Sequence, residues 1–389
     1  MTESMNLRTE ELLLCGLCRL SFSSGQIKKL KNLIDNTNDW DYFLSLTHNH
    51  GVSALVYHNS GRLGLADHIP PPVTGHLRNS YMMNLARNSG FMVKMTRVLN
   101  LLNNRNIKTV LLKGLALELS VYGNSGLRQM TDVDILVSPE NALAARQILI
   151  ENGFVSKPLK SVLYKPLLTC SGKHLPGLSG EGLSVDIHND LFGRKKSFLT
   201  RIFYDESTET PVGGEKAYMP APLMFFAYLV KHLWLHEMKN ESQLRLYTDL
   251  VVLIEKHGGE ILGPALTTLA EKAGINEIMA SRLKPLRDIL EIPFPAVINS
   301  FIDKWAAPES LDKFLFFLKS PKNNPPVNKT RLYRYHLNEI PGLHRKFLFV
   351  AGDLFPSPEF MKNRYGCTSR LEALLYYPLR LGKLWYLIG

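Results

Sequence analysis

The spacing of apolar residues changes twice along this chain, and these two changes limit the folds that it can adopt. Residues 1 to about 90 place apolar residues among polar ones as helices do, and helical spacing returns from Pro220 onward. Between them, short β-prone runs alternate with short helical stretches. The sequence therefore predicts an α+β fold, in which a small mixed β-sheet core is flanked by N-terminal and C-terminal helical regions. The predicted segments are 1–90, 91–219 and 220–389.

Local signals place the expected elements more closely. The prolines 70–72 mark a bend, and Ser138-Pro139-Glu140 has the chemistry of a helix start. Helices are expected over about 74–104, 115–122, 139–152, 223–238 and 245–256. Strands are expected over 109–112, 133–137, 162–168 and 183–187, and a Pro-rich loop over 321–327.

The composition excludes several classes of protein. With 45% hydrophobic and 21% charged residues, the chain resembles an average globular protein and can bury sizeable cores. Four scattered cysteines are too few for a disulfide framework, and the N-terminus has acids where a signal peptide needs bases. No apolar run reaches the roughly 18 residues that a membrane span needs. We therefore expect a cytoplasmic protein without a transmembrane segment.

The positive charge of the chain is concentrated near its C-terminus. The formal net charge is +11, and residues 311–389 carry thirteen Lys and Arg against five Asp and Glu. Aromatic residues alternate with these cations over 331–336 and 370–387, a pattern that suits nucleic acids or lipid headgroups. A solvated face, a surface for an anionic partner and a membrane-surface element remain the three interpretations, with the solvated face favoured.

Carboxylates on two predicted strands indicate chemistry. Asp132 and Asp134 stand two residues apart, so a strand would present them on one face, where they repel unless a cation lies between them. Magnesium is the usual cation, held by one or two carboxylates and completed by substrate phosphates. Alternation on 183–187 places Asp186 on the face of His188. If the two strands are neighbours, three carboxylates converge as a two-metal phosphoryl transfer requires.

The order of these motifs resembles that of a known family. Leu111-Leu112-Lys113-Gly114 is followed by Arg128, then by Thr131-Asp132-Val133-Asp134-Ile135, and later by Val185-Asp186-Ile187-His188. This order is similar to that of the uncharacterised bacterial nucleotidyltransferase family within the DNA polymerase β-type nucleotidyltransferase superfamily. The resemblance is densest over residues 108–190.

The resemblance implies an enzyme that moves a nucleoside monophosphate from an NTP, such as ATP, to an acceptor and releases pyrophosphate. By that resemblance Asp132 and Asp134 would hold two Mg²⁺ ions, or Mn²⁺ in their place. Asp186 would bind one of these ions and help to activate the acceptor hydroxyl. Gly114 would let the backbone approach the triphosphate. The chain departs from the usual Gly-Gly or Gly-Ser turn because Lys113 precedes Gly114, but a lysine can offer a point charge to phosphate.

Two residues of this set have alternative interpretations. Arg128 either binds phosphate or pairs with Asp132 at the spacing i, i+4. His188 either contacts substrate or hydrogen-bonds a metal ligand. Asp205, beyond the strand that carries Asp186, is the nearest competitor for the role of third carboxylate.

The following helical region adds weaker candidates. His232 is a candidate substrate contact, and with His236 it has the spacing of a metal pair but lacks the adjacent glutamate of a zinc hydrolase. Arg245 and Asp249 share a helical face, where an ion pair within the helix is the default interpretation and a substrate contact the alternative.

Two functions are carried forward. The first is the NTP-dependent nucleotidyltransferase, with a small molecule, a peptide or a glycan favoured over nucleic acid as acceptor. The alternative is a catalytically silent module of the same fold that binds nucleic acid or an acidic partner through the basic C-terminal region.

Overall fold

The computed structural model describes residues 7–170, 174–319, 328–380 and 382. The expected loop 321–327 and residues 383–387 of the basic C-terminal stretch lie outside the described residues. The helices are α1 (Thr9–Leu17), α2 (Ser24–Asp35), α3 (Trp40–Asn49), α4 (Ser53–Arg62), α5 (Pro71–Asn103), α6 (Lys113–Leu117), α7 (Ala142–Glu151), α8 (Ser197–Asp205), α9 (Pro222–Met238), α10 (Leu244–Ile261), α11 (Pro264–Ala273), α12 (Asn276–Asp288), α13 (Ala296–Trp305), α14 (Ser310–Lys319), α15 (Lys329–Glu339), α16 (Leu343–Leu354), α17 (Pro358–Tyr365) and α18 (Arg370–Leu374). The strands are β1 (Val110–Leu111), β2 (Val133–Leu136), β3 (Val155–Ser156), β4 (Leu178–Gly180), β5 (Leu183–His188), β6 (Thr208–Val212) and β7 (Glu215–Met219).

The chain divides into two compact units, and each unit is drawn from three separate stretches of sequence. The first comprises Met1–Val93, Leu112–Thr131 and Met219–Pro326, and the second comprises Lys94–Leu111, Asp132–Tyr218 and Val327–Gly389. The division of the sequence into the segments 1–90, 91–219 and 220–389 stays a prediction about domains.

The first unit is helical, and its helices bury aromatic and aliphatic side chains against one another. In α9, Phe225, Phe226 and Tyr228 are almost completely buried, and α10 packs against this helix. Both α5 and α9 begin at prolines, because a proline in the first turn loses no hydrogen bond there. This explains why α5 begins three residues before the expected start at Thr74.

The second unit contains a mixed seven-stranded sheet in the order β3-β4-β5-β2-β1-β7-β6. The central strand β2 pairs parallel to β5 and antiparallel to β1, and all four of its residues are buried. Strand β6 lies at one edge of the sheet. Its Pro211 has no backbone N–H to donate, and an edge strand tolerates this because one of its sides has no neighbouring strand. Gly213 and Gly214, both with positive φ, form the two-residue loop between β6 and β7.

The α+β class and the mixed sheet are confirmed, and the expected strands 109–112, 133–137 and 183–187 correspond to β1, β2 and β5. The strand expected over 162–168 is wrong. Val162–Leu167 is a 3₁₀-helix, in which Ser161 Oγ accepts a hydrogen bond from Leu163 N and Pro166 cannot donate to a ladder. The helix expected from Pro139 begins later, at Ala142. Among the residues that the structure describes, no helix is long and apolar enough to cross a membrane.

Candidate active site

The two central parallel strands of the second unit bring two of the expected carboxylates to paired positions. Asp134 of β2 is the register partner of Asp186 of β5, and Leu136 is the partner of His188. Paired residues of neighbouring strands project from the same face of a sheet. Asp134 is buried and Asp186 is half-buried. Asp132 lies one residue before β2 and is also half-buried.

Asp134 is held by a buried histidine. His188 Nε2 lies 2.7 Å from Asp134 Oδ1, and the two side chains are only 3% and 4% exposed. A carboxylate buried on a central strand is costly unless a donor satisfies it, and the Nε2–H of His188 is that donor. Of the two roles considered for His188, the structure therefore places it in contact with a candidate metal ligand, whose carboxylate it orients.

Gly177 gives the Asp186 side chain its room. A Cβ atom at this position would lie 2.6 Å from Asp186 Oδ1 and 3.3 Å from Lys157 Nζ. The Lys157 ammonium and the Asp186 carboxylate therefore lie over the same glycine. Lys157 N also donates to Gly177 O over 2.9 Å. Sequence reasoning missed both residues, because a lysine and a loop glycine distant from the Asp motif carry no local signal.

The donor set fits magnesium in one particular way. Within the described ranges, no three side chains from His, Cys, Asp and Glu are grouped as a metal site. The paired carboxylates of Asp134 and Asp186 offer oxygen ligands on one face. Mg²⁺ is commonly bound by one or two carboxylates, with substrate phosphates and water completing its shell. These residues therefore fit a cation that arrives with a nucleotide rather than a cage made of protein alone.

In the first unit, Arg128 forms a buried ion pair with a helix distant in sequence. Arg128 Nε donates to Asp249 Oδ1 over 2.8 Å, and Nη2 donates to Oδ2 over 2.7 Å. Tyr122 Oη donates to the same Oδ1 over 3.1 Å. Arg128 and Asp249 are 7% and 1% exposed, so both charges are buried and each offsets the other.

Gly114 is where this ion pair meets helix α6. A Cβ atom at Gly114 would overlap Arg128 Nη1 and would lie 2.8 Å from Met130 Sδ. Only a glycine admits these side chains so close to the backbone. The role near phosphate that the family resemblance implies for Gly114 stays a prediction, and its close approach to Arg128 is an additional constraint.

Lys113, the first residue of α6, has a left-handed backbone with φ of 46°. A residue with a side chain pays a steric cost in this conformation, and such residues occur often at ligand sites. The charge of Lys113 acts on His236, because burial, followed by the charges of Lys239, Lys113 and Arg245, lowers the pKa of His236 to about 4. His236 is therefore neutral near pH 7.

The remaining candidates of the first unit lie on α9 and α10. The rings of His232 and His236 are 4.5 Å apart between centroids. Arg245 Nη1 donates to Gln129 O over 2.6 Å, and Nη2 donates to Gln243 Oε1 over 3.3 Å. Arg245 therefore supports the loop that carries Arg128.

That loop has a further support that sequence reasoning missed. Asn88 of α5 is fully buried, and its Nδ2 donates to Ser125 O over 2.6 Å and to Arg128 O over 2.8 Å. Gly126 lies directly under the Tyr81 ring, which leaves no space for a side chain there. The signal available in the sequence was Asn88 itself, a polar residue within the apolar stripe of α5. A residue that only packs into the core is expected to be apolar.

Comparison with known protein families identifies the family of the chain. Residues 36–289 match the family described as uncharacterised nucleotidyltransferase, and because the match covers well over half of the sequence, the chain belongs to this family.

Among solved structures, the chain is similar to an antigenic nucleotidyltransferase-like protein from Paracoccidioides brasiliensis. The identity is 16%, the alignment covers 53% of this chain and 94% of that one, and the TM-score is 0.33. No curated protein matches the sequence.

Proposed function

We propose that this protein is a metal-dependent nucleotidyltransferase, which moves a nucleoside monophosphate from an NTP to a hydroxyl or phosphate group of an acceptor. The observation that carries the proposal is the parallel register of Asp134 with Asp186, supported by the family membership of the chain. We propose a cytoplasmic enzyme that acts on a small molecule, a peptide or a glycan.

The proposed reaction follows from the chemistry of the NTP and of the acceptor. The acceptor oxygen forms a bond to the α-phosphorus, the bond from that phosphorus to the bridging oxygen of the β-phosphate breaks, and pyrophosphate leaves. Asp186 is proposed to accept the proton of the acceptor hydroxyl. Magnesium, when bound, would neutralise charge on the phosphate oxygens and lower the pKa of a coordinated hydroxyl.

The carboxylates that would hold magnesium are Asp132, Asp134 and Asp186. The hydrogen bond from His188 supports this assignment for Asp134, because it fixes the orientation of the carboxylate. Manganese, which also prefers oxygen ligands, is the proposed substitute for magnesium.

Roles in the first unit are a separate part of the proposal. Lys113 and Gly114 are proposed to contact phosphate, and the left-handed backbone of Lys113 supports a functional constraint there. Arg128 is proposed to act on phosphate indirectly. Its ion pair with Asp249 holds the guanidinium against Gly114 and so positions that glycine. His232 and Arg245 are proposed substrate contacts, and Asp249 acts through Arg128.

The test is transfer of an α-labelled NTP to acceptors in a cell extract, with and without Mg²⁺, followed by mass spectrometry of the labelled product. Asp132→Ala and Asp134→Ala are compared with Asp67→Ala, the same change at an exposed aspartate of the first unit. Loss of a metal ligand that costs about 4 kcal/mol reduces the rate about a thousandfold. We expect that loss in the first two variants and wild-type transfer in the third. Near-normal transfer by a folded Asp132→Ala/Asp134→Ala double variant would overturn the proposal.

A further inference from the structure

The C-terminal part of the second unit exposes leucines where a solvated surface carries polar residues. Helix α18 and the helical turn that follows it place Leu371, Leu374, Leu375 and Leu379 at intervals of three and four residues. Their exposed fractions are 78%, 50%, 74% and 60%. Residues at these intervals lie along one side of a helix, so the four side chains form one apolar surface, the leucine face. Exposed apolar residues that are grouped in this way mark interaction sites.

The opposite side of the same segment is anchored to the protein. Ala373 of α18 is fully buried. The Tyr376 ring stacks on the Tyr365 ring with centroids 4.7 Å apart. Arg380 donates from Nε and from Nη2 to Asp353 O, over 3.0 Å in each case. Because these contacts hold the segment from one side, the leucines could turn inward only by breaking them.

The charge around the leucine face is positive. Residues 328–380 carry nine Lys and Arg against four Asp and Glu. Arg364 and Arg370 are both exposed and bracket the loop between α17 and α18, and the leucine face begins directly after Arg370. The acids nearest in sequence are engaged, since Glu359 pairs with Arg370 and Glu372 accepts hydrogen bonds from the loop. Cations therefore border the apolar surface.

This combination favours a lipid surface with acidic headgroups over other partners. A second copy of the chain would bring the same cations together at a shared interface, where they repel. A nucleic acid would pair with the cations but would leave the leucines in water. In a bilayer, leucine side chains enter the boundary between headgroups and acyl chains, while arginines remain at the acidic headgroups. Only the bilayer satisfies both kinds of residue.

We propose that the leucine face docks the protein on the surface of an anionic lipid bilayer. The four leucines enter the interface, and Arg364 and Arg370 bind the acidic headgroups. The segment lies on the bilayer and does not cross it, because α18 has five residues, whereas a span needs roughly 20. Docking requires neither NTP nor metal, so its test is independent of the proposed nucleotidyl transfer.

Flotation of the full chain with lipid vesicles, without NTP or metal, measures the docking. Vesicles of phosphatidylcholine alone are compared with vesicles in which about a third of the lipid is phosphatidylserine. We expect binding to the acidic vesicles to be tighter by about tenfold or more, since each arginine near an anionic surface adds to the attraction. The difference should shrink as salt concentration rises, because salt screens exposed charges.

A pair of leucine-face and control variants tests the apolar contribution. Leu371→Ser/Leu375→Ser removes the two most exposed leucines of the face and should weaken binding to acidic vesicles about tenfold or more. Leu143→Ser/Val155→Ser removes two exposed apolar side chains elsewhere in the second unit and should stay within about twofold of the wild type. Circular dichroism confirms that each variant is folded.

A second pair tests the arginines. Arg364→Gln/Arg370→Gln should remove most of the preference for phosphatidylserine. Arg78→Gln/Arg105→Gln lowers the net charge by the same amount at two exposed arginines away from the leucine face and should keep the preference.

The proposal is overturned if the wild type binds neither kind of vesicle. It is also overturned if folded Leu371→Ser/Leu375→Ser binds as the wild type does, since another surface would then meet the bilayer. Equal losses in the two arginine variants would indicate attraction by net charge alone and would reject the assignment. A dimer in gel filtration that the leucine variant dissociates, or duplex DNA binding without vesicle binding, would assign the region to another partner and reject it as well.

Discussion

The guanidinium of Arg128 and the carboxylate of Asp249 form a buried ion pair with two hydrogen bonds, across 121 positions of sequence. The pair joins the loop that precedes the Asp132-Asp134 motif to the middle of α10. Because Gly114 packs against Arg128 Nη1, the ion pair also restricts position 114, near the start of α6, to glycine. One electrostatic contact therefore constrains two of the motifs by which the family resemblance is recognised.

Removal of one member of this pair should be more harmful than removal of both. Asp249→Leu leaves the Arg128 charge buried and should lower the free energy of unfolding by about 3 to 5 kcal/mol. The double variant Arg128→Leu/Asp249→Leu should lose less, because no buried charge remains. Urea denaturation measures both changes. Glu309→Ala, which breaks the exposed pair with Lys313, is the control and should remain near wild-type stability. Equal losses in the single and the double variant would contradict the prediction.

The packing of Gly114 predicts a cost for a single methyl group. In Gly114→Ala the new Cβ would displace Arg128 or Met130, and overpacking of this kind costs about 1 to 3 kcal/mol. Gly75→Ala is the matched control, because Gly75 lies in α5 with no atom near its added Cβ. That change should stabilise the protein by about 0.5 to 1 kcal/mol. Thermal unfolding of both variants tests the prediction, and a neutral Gly114→Ala would show that Arg128 can move.

The sequence predicted the strands of the candidate site better than the contacts between their side chains. The alternation around Asp134 and Asp186 was enough to place these two carboxylates on strands, because strand periodicity is a local property. Asp132 lies one residue before β2. The hydrogen bond from His188 to Asp134 depends on the register of β2 with β5, which no local pattern specifies. The pairing of Arg128 with Asp249 could not be predicted for the same reason. Local spacing suggested only Asp132, the nearest acid along the sequence.

Parts of the sheet were also hidden from the sequence. Strand β3 has only two residues, which is too short for alternation to be recognised. Strand β6 contains Pro211, which argues against a strand anywhere but at a sheet edge. Tertiary pairing decides the structure of such segments, whereas the long helices α9 and α10 could be predicted from their own residues.

His236 should make the stability of the protein depend on pH in the acid range. Burial lowers its pKa to about 4, below the value of about 6.5 that an unfolded chain gives. Between these values the unfolded state binds more protons, so stability should be complete above pH 6.5 and decline as the pH falls toward 4. Urea denaturation over this range should show a weaker decline in His236→Gln. The buried His50, whose pKa burial also lowers, remains in both proteins as an internal reference.

The basic C-terminal region provides a test of the silent binding module. If that region binds nucleic acid through phosphate contacts, the logarithm of the affinity should fall with the logarithm of salt concentration, with a slope near −0.9 for each phosphate neutralised on duplex DNA. For an enzyme acting on a small molecule, a peptide or a glycan, we expect no duplex binding near physiological salt. Fluorescence anisotropy with labelled duplex DNA over a salt series measures this. Tight binding with a steep slope, together with no Mg²⁺-dependent NTP binding, would favour the silent module.

The role of Asp186 can be separated from nucleotide binding. A group that accepts the acceptor proton must be ionised, and Asp186→Asn keeps the size of the side chain while removing its charge. We expect Mg²⁺-dependent NTP binding to persist within about tenfold through Asp132 and Asp134, while transfer of the labelled nucleotide falls about a thousandfold. Asp205 is the matched control, because it ends α8 and is exposed, whereas Asp186 is paired with Asp134 across the sheet. Calorimetry with NTP and the labelled-transfer assay are applied to both variants. Normal transfer by Asp186→Asn, with loss of transfer in Asp205→Asn, would assign the third carboxylate to α8 and leave Asp186 with a structural role over Gly177.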